Sequence, residues 1–324
     1  MSFSQAAQFE QHVNHQLSKS LGAIPVLFPI LHELGVAQTI NRHSAGEEEV
    51  SHGTTVEILT LNRLMAPKPL YKVKGWMAET VLEDALDVSA EQMHDTRIGR
   101  TLDDLHPHLD AIWQDIAVQA VLKYDIDLRF IHYDITSVYF EGEYSESEKI
   151  AYGYSRDHRP DAKQVNLGVN VTSETGIPLG YRVLAGRTAD RTTPLENLKA
   201  LRSLLDRPEL AKRQRDFLLV SDRAMLDREV IVAYAEKQIR WLGPLNVDGS
   251  LKDVMGSVSD KELEDYPLAY HPVNQPKDEP LRYHGVLRSA TITYEGEAVP
   301  IQVLVVKSRT KVKLDRDRRQ TYLD

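Results

Sequence analysis

The sequence predicts an α/β protein in which a helical N-terminal domain precedes a mixed sheet and a β-rich stretch. Apolar residues recur three and four positions apart from Ser4 to about Leu122, as in helices. At about Leu128 the pattern changes to the alternation of a strand rich in aromatic and branched residues. After Trp241, prolines, glycines and short β-like runs dominate. These three observations place the domains at residues 1–125, 126–245 and 246–324.

Start and stop signals divide the helical half into separate elements. Thr54 with Glu57, and Ser89 with Gln92, have the spacing of capping boxes, and each pair precedes an apolar-periodic run. Two prolines then interrupt the helical pattern near residue 68. We therefore predict helices that begin at Thr54 and Ser89, and a loop over residues 66–76.

The second half is predicted to contain four strands and two helices. The strands are predicted at 128–135, 164–171, 180–184 and 217–221, with a turn at 176–178 between the second and the third. Thr193, Pro194 and Glu196 are a capping residue, a first-turn proline and an acidic N3 residue, and they open a helix to about Leu205. A second helix is predicted over 227–238. The region after Trp241 is predicted to be all-β, followed by a charged tail at 307–324.

Composition narrows the class of protein. A chain of 324 residues corresponds to roughly two domains at ~150 residues each. The absence of cysteine excludes disulfides, thiol nucleophiles and cysteine-bound zinc. The apolar stretch at 24–31 is far shorter than the ~20 residues that span a bilayer, and the N-terminus does not have the pattern of a signal peptide. We expect a cytoplasmic protein without membrane contact. Its net charge of −9 argues against a uniformly basic surface but permits local basic grooves.

Two acids follow predicted strands. Asp134 is placed at the end of the first strand and Asp222 at the end of the fourth. Acids at the carboxyl ends of neighbouring strands point into one crevice, where two carboxylates can hold Mg²⁺. The alternative is that they cap turns, or that Asp222 pairs with Arg223.

The sequence around these acids resembles a known family. The segments that carry the resemblance are Tyr133-Asp134-Ile135-Thr136-Ser137, Tyr152 to Gln164 and Gly186 to Thr193. They resemble the insertion-sequence DDE transposases, whose RNase H-like catalytic domain contains a β-strand insertion. The helical half, around residues 34–36 and 96–103, resembles the N-terminal domain that precedes this catalytic core.

The resemblance implies a fold, an activity and partners. It implies an RNase H-like mixed sheet with a β-rich insertion, in which Asp134 and Asp222 are catalytic acids that bind Mg²⁺ or Mn²⁺. The implied activity is DNA strand cleavage and transfer, with transposon ends and target DNA as partners and the nucleoid as the location when DNA is bound. Because two ends must be brought together, we expect a homo-oligomer. The helical domain is expected to recognise transposon ends.

Basic side chains near the acids are candidates for contacts with DNA phosphates. They are Arg156, His158, Arg159, Lys163 and Arg187. The alternative is a solvated loop that pairs internally with Asp157 and Asp161. Asp190 is interpreted as fixing a turn, and His132 as a core or sheet-face residue on the side of the strand opposite Asp134. Tyr154 either stacks on bases or packs its loop.

The family's third acid is a glutamate in the pattern Tyr-x2-Arg-x3-Glu-x6-Lys, on a helix beyond the β insertion. No segment of the 324 residues has this pattern. We therefore expect a C-terminally truncated transposase whose catalytic triad is incomplete and whose sheet exposes apolar surface. The competing hypothesis is a non-catalytic protein that binds DNA ends or full-length subunits and acts as an inhibitor.

Overall fold

A computed structural model describes residues 19–44, 48–155, 158–211, 213, 216–270, 272 and 282–308. The chain forms two compact units. The first contains residues 1–128, 170–181 and 200–215, and the second contains 129–169, 182–199 and 216–324. Within the described ranges, no helix combines the length and the apolar character that a membrane crossing requires.

Helices dominate the first unit, as predicted. They are α1 (Ile24–Glu33), α2 (Val36–His43), α3 (His52–Met65), α4 (Leu70–Ala78), α5 (Leu82–Leu86), α6 (Asp95–Leu105) and α7 (Leu109–Lys123). Their shared core contains Ile58, Leu61, Met77, Met93 and Ile98, all of which are fully shielded from solvent. Burial of these side chains is the main force that holds the short helices together.

Two predictions about this unit were wrong, and one was confirmed in part. Helix α3 begins at His52, because the N-cap is Ser51, whose Oγ accepts a hydrogen bond from the Thr54 N–H at 3.1 Å. The predicted loop at 66–76 ends at Pro69, whose extended backbone serves as the N-cap of α4. The capping box at Ser89 is present, but it opens a three-residue 3₁₀ turn in place of the predicted helix, and the next α-helix begins at Asp95.

A five-stranded sheet forms the second half of the fold, and its strands are β1 (Phe130–Phe140), β2 (Lys163–Thr172), β3 (Pro178–Ala185), β4 (Leu218–Ser221) and β5 (Arg240–Leu242). Their order is β3-β2-β1-β4-β5. Strand β4 is parallel to both β1 and β5. Strands β2 and β3 are neighbours joined by a five-residue turn, and they are therefore antiparallel. The mixed α/β class with an RNase H-like strand order is therefore confirmed. Helices α8 (Pro194–Leu205) and α9 (Arg228–Glu236) follow β3 and β4.

A long hairpin forms the β-rich stretch of the second unit. Strands β6 (Tyr283–Tyr294) and β7 (Glu297–Ser308) pair along their whole length and are joined by Glu295 and Gly296, both at positive φ. The expectation of an all-β region was wrong, since α10 (Gly249–Gly256) and α11 (Asp260–Glu264) precede the hairpin. The apolar face of the hairpin packs against α9 and α10 through Ile292 and Ile301. The predicted tail beyond residue 308 lies outside the described residues.

Candidate active site

Asp134 and Asp222 lie on neighbouring strands at the same level. Strands β1 and β4 pair in parallel, and their last matched residues are Tyr133 and Ser221. Asp134 and Asp222 are the next residues along the chain: Asp134 continues β1, and Asp222 directly follows the end of β4. Tyr133 and Ser221 are both buried, whereas both acids are exposed and the backbone of Asp222 remains extended. Since side chains alternate along a strand, the two carboxylates project from the same exposed face.

One expectation about Asp134 needs correction. Strand β1 continues to Phe140, so Asp134 lies in the middle of the strand, whereas Asp222 does follow the end of β4. The polar residues Thr136 and Ser137 continue the alternation of exposed and buried residues, whereas the strand was predicted to end at residue 135. The acids meet because β4 is short and ends beside the centre of β1.

Each carboxylate binds the backbone next to it. Oδ1 of Asp134 accepts a hydrogen bond from the Ile135 N–H at 2.8 Å, and Oδ1 of Asp222 accepts one from the Arg223 N–H at 2.6 Å. These bonds fix the orientation of both carboxylates. Within the described part of the chain, no donor reaches either Oδ2 atom, and these outward oxygens remain available as ligands. Two carboxylates with accessible oxygens are a donor set that suits a hard divalent cation.

A buried tyrosine fixes the backbone beneath Asp134. Tyr133 points to the buried face, and its hydroxyl donates to Thr193 Oγ1 at 3.0 Å. The Thr193 hydroxyl donates in turn to the carbonyl oxygen of Asp190 at 2.8 Å. Burial raises the pKa of Tyr133, and the charges of Asp190 and Asp134 raise it further. The tyrosine therefore stays protonated and connects β1 to the turn at 190–192.

An open groove lies beside the Asp222 turn. It has a volume of ≈ 480 Å³. Its lining residues are Tyr154, Asn166, Gly186, Arg187, Thr188, Ala189, Asp190, Arg191 and Ala224. Ala224 lies in the short 3₁₀ turn that Asp222 caps, and Tyr154 is 83% exposed. The groove thus presents two exposed arginines and an accessible aromatic ring next to the second acid.

Two buried amides shape this groove. Gln164 Nε2 donates to the Tyr154 carbonyl at 2.8 Å and to the Gly186 carbonyl at 3.2 Å. Asn166 Nδ2 donates to the Thr188 carbonyl at 3.1 Å. The chain crosses itself closely here, because a Cβ at Gly153 would lie 1.9 Å from the Gly186 carbonyl oxygen. The groove walls are therefore held by side chains of β2 and by a glycine pair that permits backbone contact.

The structure separates the predicted DNA-contacting residues. Arg187 lines the groove. Arg159 forms a two-nitrogen ion pair with Asp161, including a 2.9 Å contact, and its guanidinium lies 4.9 Å from the centre of the Tyr139 ring. Internal pairing, the alternative weighed for this loop, therefore applies to Arg159.

The other basic candidates differ in their surroundings. Lys163 donates to the carbonyl of Glu143 and lies 6.0 Å from the centre of the Tyr152 ring. His158 is exposed and adopts a positive φ of 56°. Arg156 lies outside the described residues.

Sequence reasoning missed several residues near the acids. Arg191 and Asn166 line the groove but were not singled out, although Arg191 lies in the segment that carries the family resemblance. Asp190, interpreted as a turn residue, does form a 3₁₀ turn and also lines the groove. His132 lies in β1 and is half-buried, but its predicted placement opposite Asp134 was wrong, because a residue two positions before Asp134 shares its face of the strand.

Comparison with known proteins gives a partial match. The family described as "Domain of unknown function (DUF4277)" matches residues 16–118, less than a third of the chain. No curated protein sequence matches the chain.

Solved structures of two transposases are among those to which the chain is similar. One is the Mos1 transposase paired-end complex with left transposon end, at 14% identity over 61% of this chain, with a TM-score of 0.26. Another is the piggyBac transposase synaptic complex with hairpin DNA, at 11% identity over 83% of this chain and 50% of that chain, with a TM-score of 0.32. The chain covers 60% of the Mos1 chain in the paired-end complex.

Proposed function

We propose that this chain belongs to a DDE-type insertion-sequence transposase and contributes two carboxylates, Asp134 and Asp222, to metal-dependent cleavage and transfer of DNA strands. The observation that carries the proposal is the parallel register of β1 and β4. It ends at Tyr133 and Ser221 and leaves both acids side by side on an exposed face. The RNase H-like strand order is the scaffold that the sequence resemblance implies for such a pair.

The donor set supports a site for Mg²⁺ or Mn²⁺. Both ions prefer oxygen ligands, and each acid has an outward carboxylate oxygen held in place by a bond from the other oxygen to the backbone. Bound divalent ions at such a site activate the attacking hydroxyl and stabilise the leaving oxygen in an in-line phosphoryl displacement. Asp134 and Asp222 would hold the ions, and Tyr133 keeps the backbone of the first acid in place.

The groove beside Asp222 supports DNA as the substrate. Arg187 and Arg191 are exposed there and can contact backbone phosphates, which contribute much of the affinity of proteins for DNA. The exposed ring of Tyr154 can stack on an unpaired base at a cleaved end. Two exposed arginines beside the second acid support phosphate binding at this position, although the net charge of the whole chain is −9.

Metal binding and cleavage test the proposal together. The chain would be incubated with Mg²⁺ or Mn²⁺ and with duplexes taken from the DNA that flanks its coding sequence. Metal binding would be measured by calorimetry and strand nicking on denaturing gels. The pattern of the third acid does not occur in the sequence, and metal binding by the two acids does not require cleavage. Metal binding is therefore measured separately from strand cleavage. We expect Asp134→Asn and Asp222→Asn to weaken metal binding by roughly tenfold or more and to abolish nicking.

The matched control is Asp216→Asn. Asp216 precedes the same strand that Asp222 follows, and its carboxylate pairs with Arg240 at 2.9 Å on the surface. This variant should bind metal and DNA like the wild type. Equal metal binding by the wild type, Asp134→Asn and Asp222→Asn would contradict the assignment of the acids. Joining of cleaved ends to a target plasmid would distinguish a transposase from a nuclease.

A further inference from the structure

A second cluster of metal-binding side chains lies in the first unit, among Glu48, His52 and Asp104. Nε2 of His52 is 2.9 Å from Glu48 Oε2 and 3.5 Å from Asp104 Oδ2. The ligand atoms of the three residues all lie within 4.8 Å of one another. The histidine is the first residue of α3, and Asp104 is in the last turn of α6.

The buried histidine is oriented from behind. Its ring is 5% exposed, and Nδ1 lies 3.1 Å from the carbonyl oxygen and 2.9 Å from the hydroxyl of Ser44. A carbonyl can only accept a hydrogen bond, so the contact with the Ser44 carbonyl is a hydrogen bond in the tautomer that carries the proton on Nδ1. The lone pair of the neutral ring then lies on Nε2, the nitrogen beside the two carboxylates. A backbone carbonyl that fixes the tautomer of a histidine in this way is typical of metal ligands.

The Nε2 atom has no hydrogen-bond partner of acceptable geometry among the described residues, although the Glu48 carboxylate is only 2.9 Å away. The carboxylate oxygen therefore lies off the direction in which a ring N–H would point. A buried lone pair next to two anionic oxygens is unfavourable unless a positive group lies between them. The carboxylate groups are more accessible, with side-chain exposures of 34% for Glu48 and 53% for Asp104.

The spacing of the donor atoms fits a small cation. Two ligands that each lie ~2.0–2.1 Å from a metal, at angles of about 90–110°, are separated by about 2.9–3.4 Å. The observed separations of 2.9 and 3.5 Å between nitrogen and oxygen are close to this range. An imidazole with carboxylates favours a transition metal such as Zn²⁺ over Mg²⁺ or Ca²⁺, which prefer oxygen ligands alone.

We propose that Glu48, His52 and Asp104 form a binding site for a transition-metal ion of the Zn²⁺ class. Three protein ligands leave a coordination position for water. The ion would connect the end of α6 to the residues that open α3 and would thereby stabilise the first unit. Its nitrogen ligand makes this site chemically distinct from the all-carboxylate pair of Asp134 and Asp222, and the inference does not depend on the proposed function.

The experiment uses the full-length chain after treatment with a chelator. Titration with Zn²⁺ is followed by calorimetry, and titration with Co²⁺ by visible absorbance, which reports nitrogen and oxygen ligands directly. We expect a single zinc ion per chain, and Asp104→Asn and Glu48→Gln to weaken its binding by roughly tenfold or more. Both side chains are partly exposed, and circular dichroism checks that each variant is folded.

Two control variants distinguish zinc binding at this site from zinc binding by other side chains. Asp103→Asn changes the exposed neighbour of Asp104 on the same helix and should bind Zn²⁺ like the wild type. The double variant Asp134→Asn with Asp222→Asn should also retain the ion. Zinc should raise the melting temperature of the wild type but not that of Asp104→Asn. Absence of zinc binding in the wild type, or binding that is unchanged in both Asp104→Asn and Glu48→Gln, would overturn the proposal.

Discussion

Replacement of Gly186 by alanine tests how the groove is built. Gly186 follows β3 at the point where the chain passes closest to β2, and its N–H donates to the Lys149 carbonyl at 2.9 Å. A Cβ on this residue would lie 2.2 Å from the carbonyl oxygen of Gln164 and 2.4 Å from that of Ala151. Both obstacles are backbone atoms, and a change of side-chain rotamer cannot relieve the clash.

The size of the effect follows from these distances. Ordinary contacts of a Cβ begin near 3.4 Å, so the turn at Gly186 would have to move by about 1 Å. That shift would break the bond to Lys149 and the contact of the Gly186 carbonyl with Gln164 Nε2. Overpacking of about 1–3 kcal/mol and roughly 1 kcal/mol for each of the two lost hydrogen bonds together predict a destabilisation of about 3–5 kcal/mol.

Urea unfolding followed by circular dichroism measures this change, and fluorescence anisotropy measures DNA affinity in the same samples. Gly256→Ala is the matched control, because no atom lies within 4 Å of the Cβ that it adds. We expect the control to unfold at the same or a slightly higher urea concentration than the wild type, because alanine favours a helix more than glycine does. Gly186→Ala should unfold at lower urea concentration and bind DNA more weakly because the groove is displaced. An unfolding midpoint for Gly186→Ala equal to that of the wild type would refute this account of the crossing.

Two further predictions concern charge. Arg187→Ala and Arg191→Ala should each reduce the magnitude of the slope of log affinity for DNA against log salt concentration by about 1. Arg240→Ala, which removes a surface ion pair, should leave the slope unchanged. Equal slopes in all three variants would contradict the groove as a phosphate-binding surface. Asp115 is partly buried, which raises its pKa, but hydrogen bonds from His43 and Arg207 outweigh burial and leave the pKa below its usual value. The stabilisation by its charge is thus present above the unfolded-state pKa and lost as pH falls through the folded-state pKa. Asp115→Asn should cost about 1–2 kcal/mol at pH 7. The difference from wild type should begin to shrink near pH 3.8 and vanish below the lower folded-state pKa in urea titrations; a difference that persists at low pH would contradict it.

The sequence predicted the elements whose pattern reflects burial. Strand β1 was recognised because its buried residues alternate with exposed ones, and α8 because Pro194 opens it. Boundaries that depend on single hydrogen bonds were harder to predict. Ser51 and Thr54 are both good N-cap residues, and the sequence contains nothing that decides which hydroxyl binds the helix. Pro69 was interpreted as a helix breaker, although proline is equally compatible with the position just before a helix.

The candidate acids could be predicted for a related reason. A parallel register is set by the apolar residues of β1 and β4, such as Ile131 opposite Leu219, and the sequence shows these residues directly. Once that register is fixed, the residues that follow it are neighbours whatever their side chains are. The pairing of Asp134 with Asp222 therefore follows from burial, and the resemblance adds the chemistry.

The sequence did not predict the groove. Two polar residues of β2 hold its walls, and the alternating pattern of the strand does not show that they are buried. Gln164 and Asn166 alternate with Val165 and Leu167 along β2, and it is the amides that lie on the buried face, whereas the apolar side chains are half-exposed. The amides are buried because they bind carbonyl groups of two loops that are distant in sequence. For the same reason, charge counting identified Arg159 as a DNA contact, although Asp161 already binds its guanidinium. The fold determines which basic residues remain accessible. Arg187 lies beside the second acid because the buried amides hold the loop that carries it.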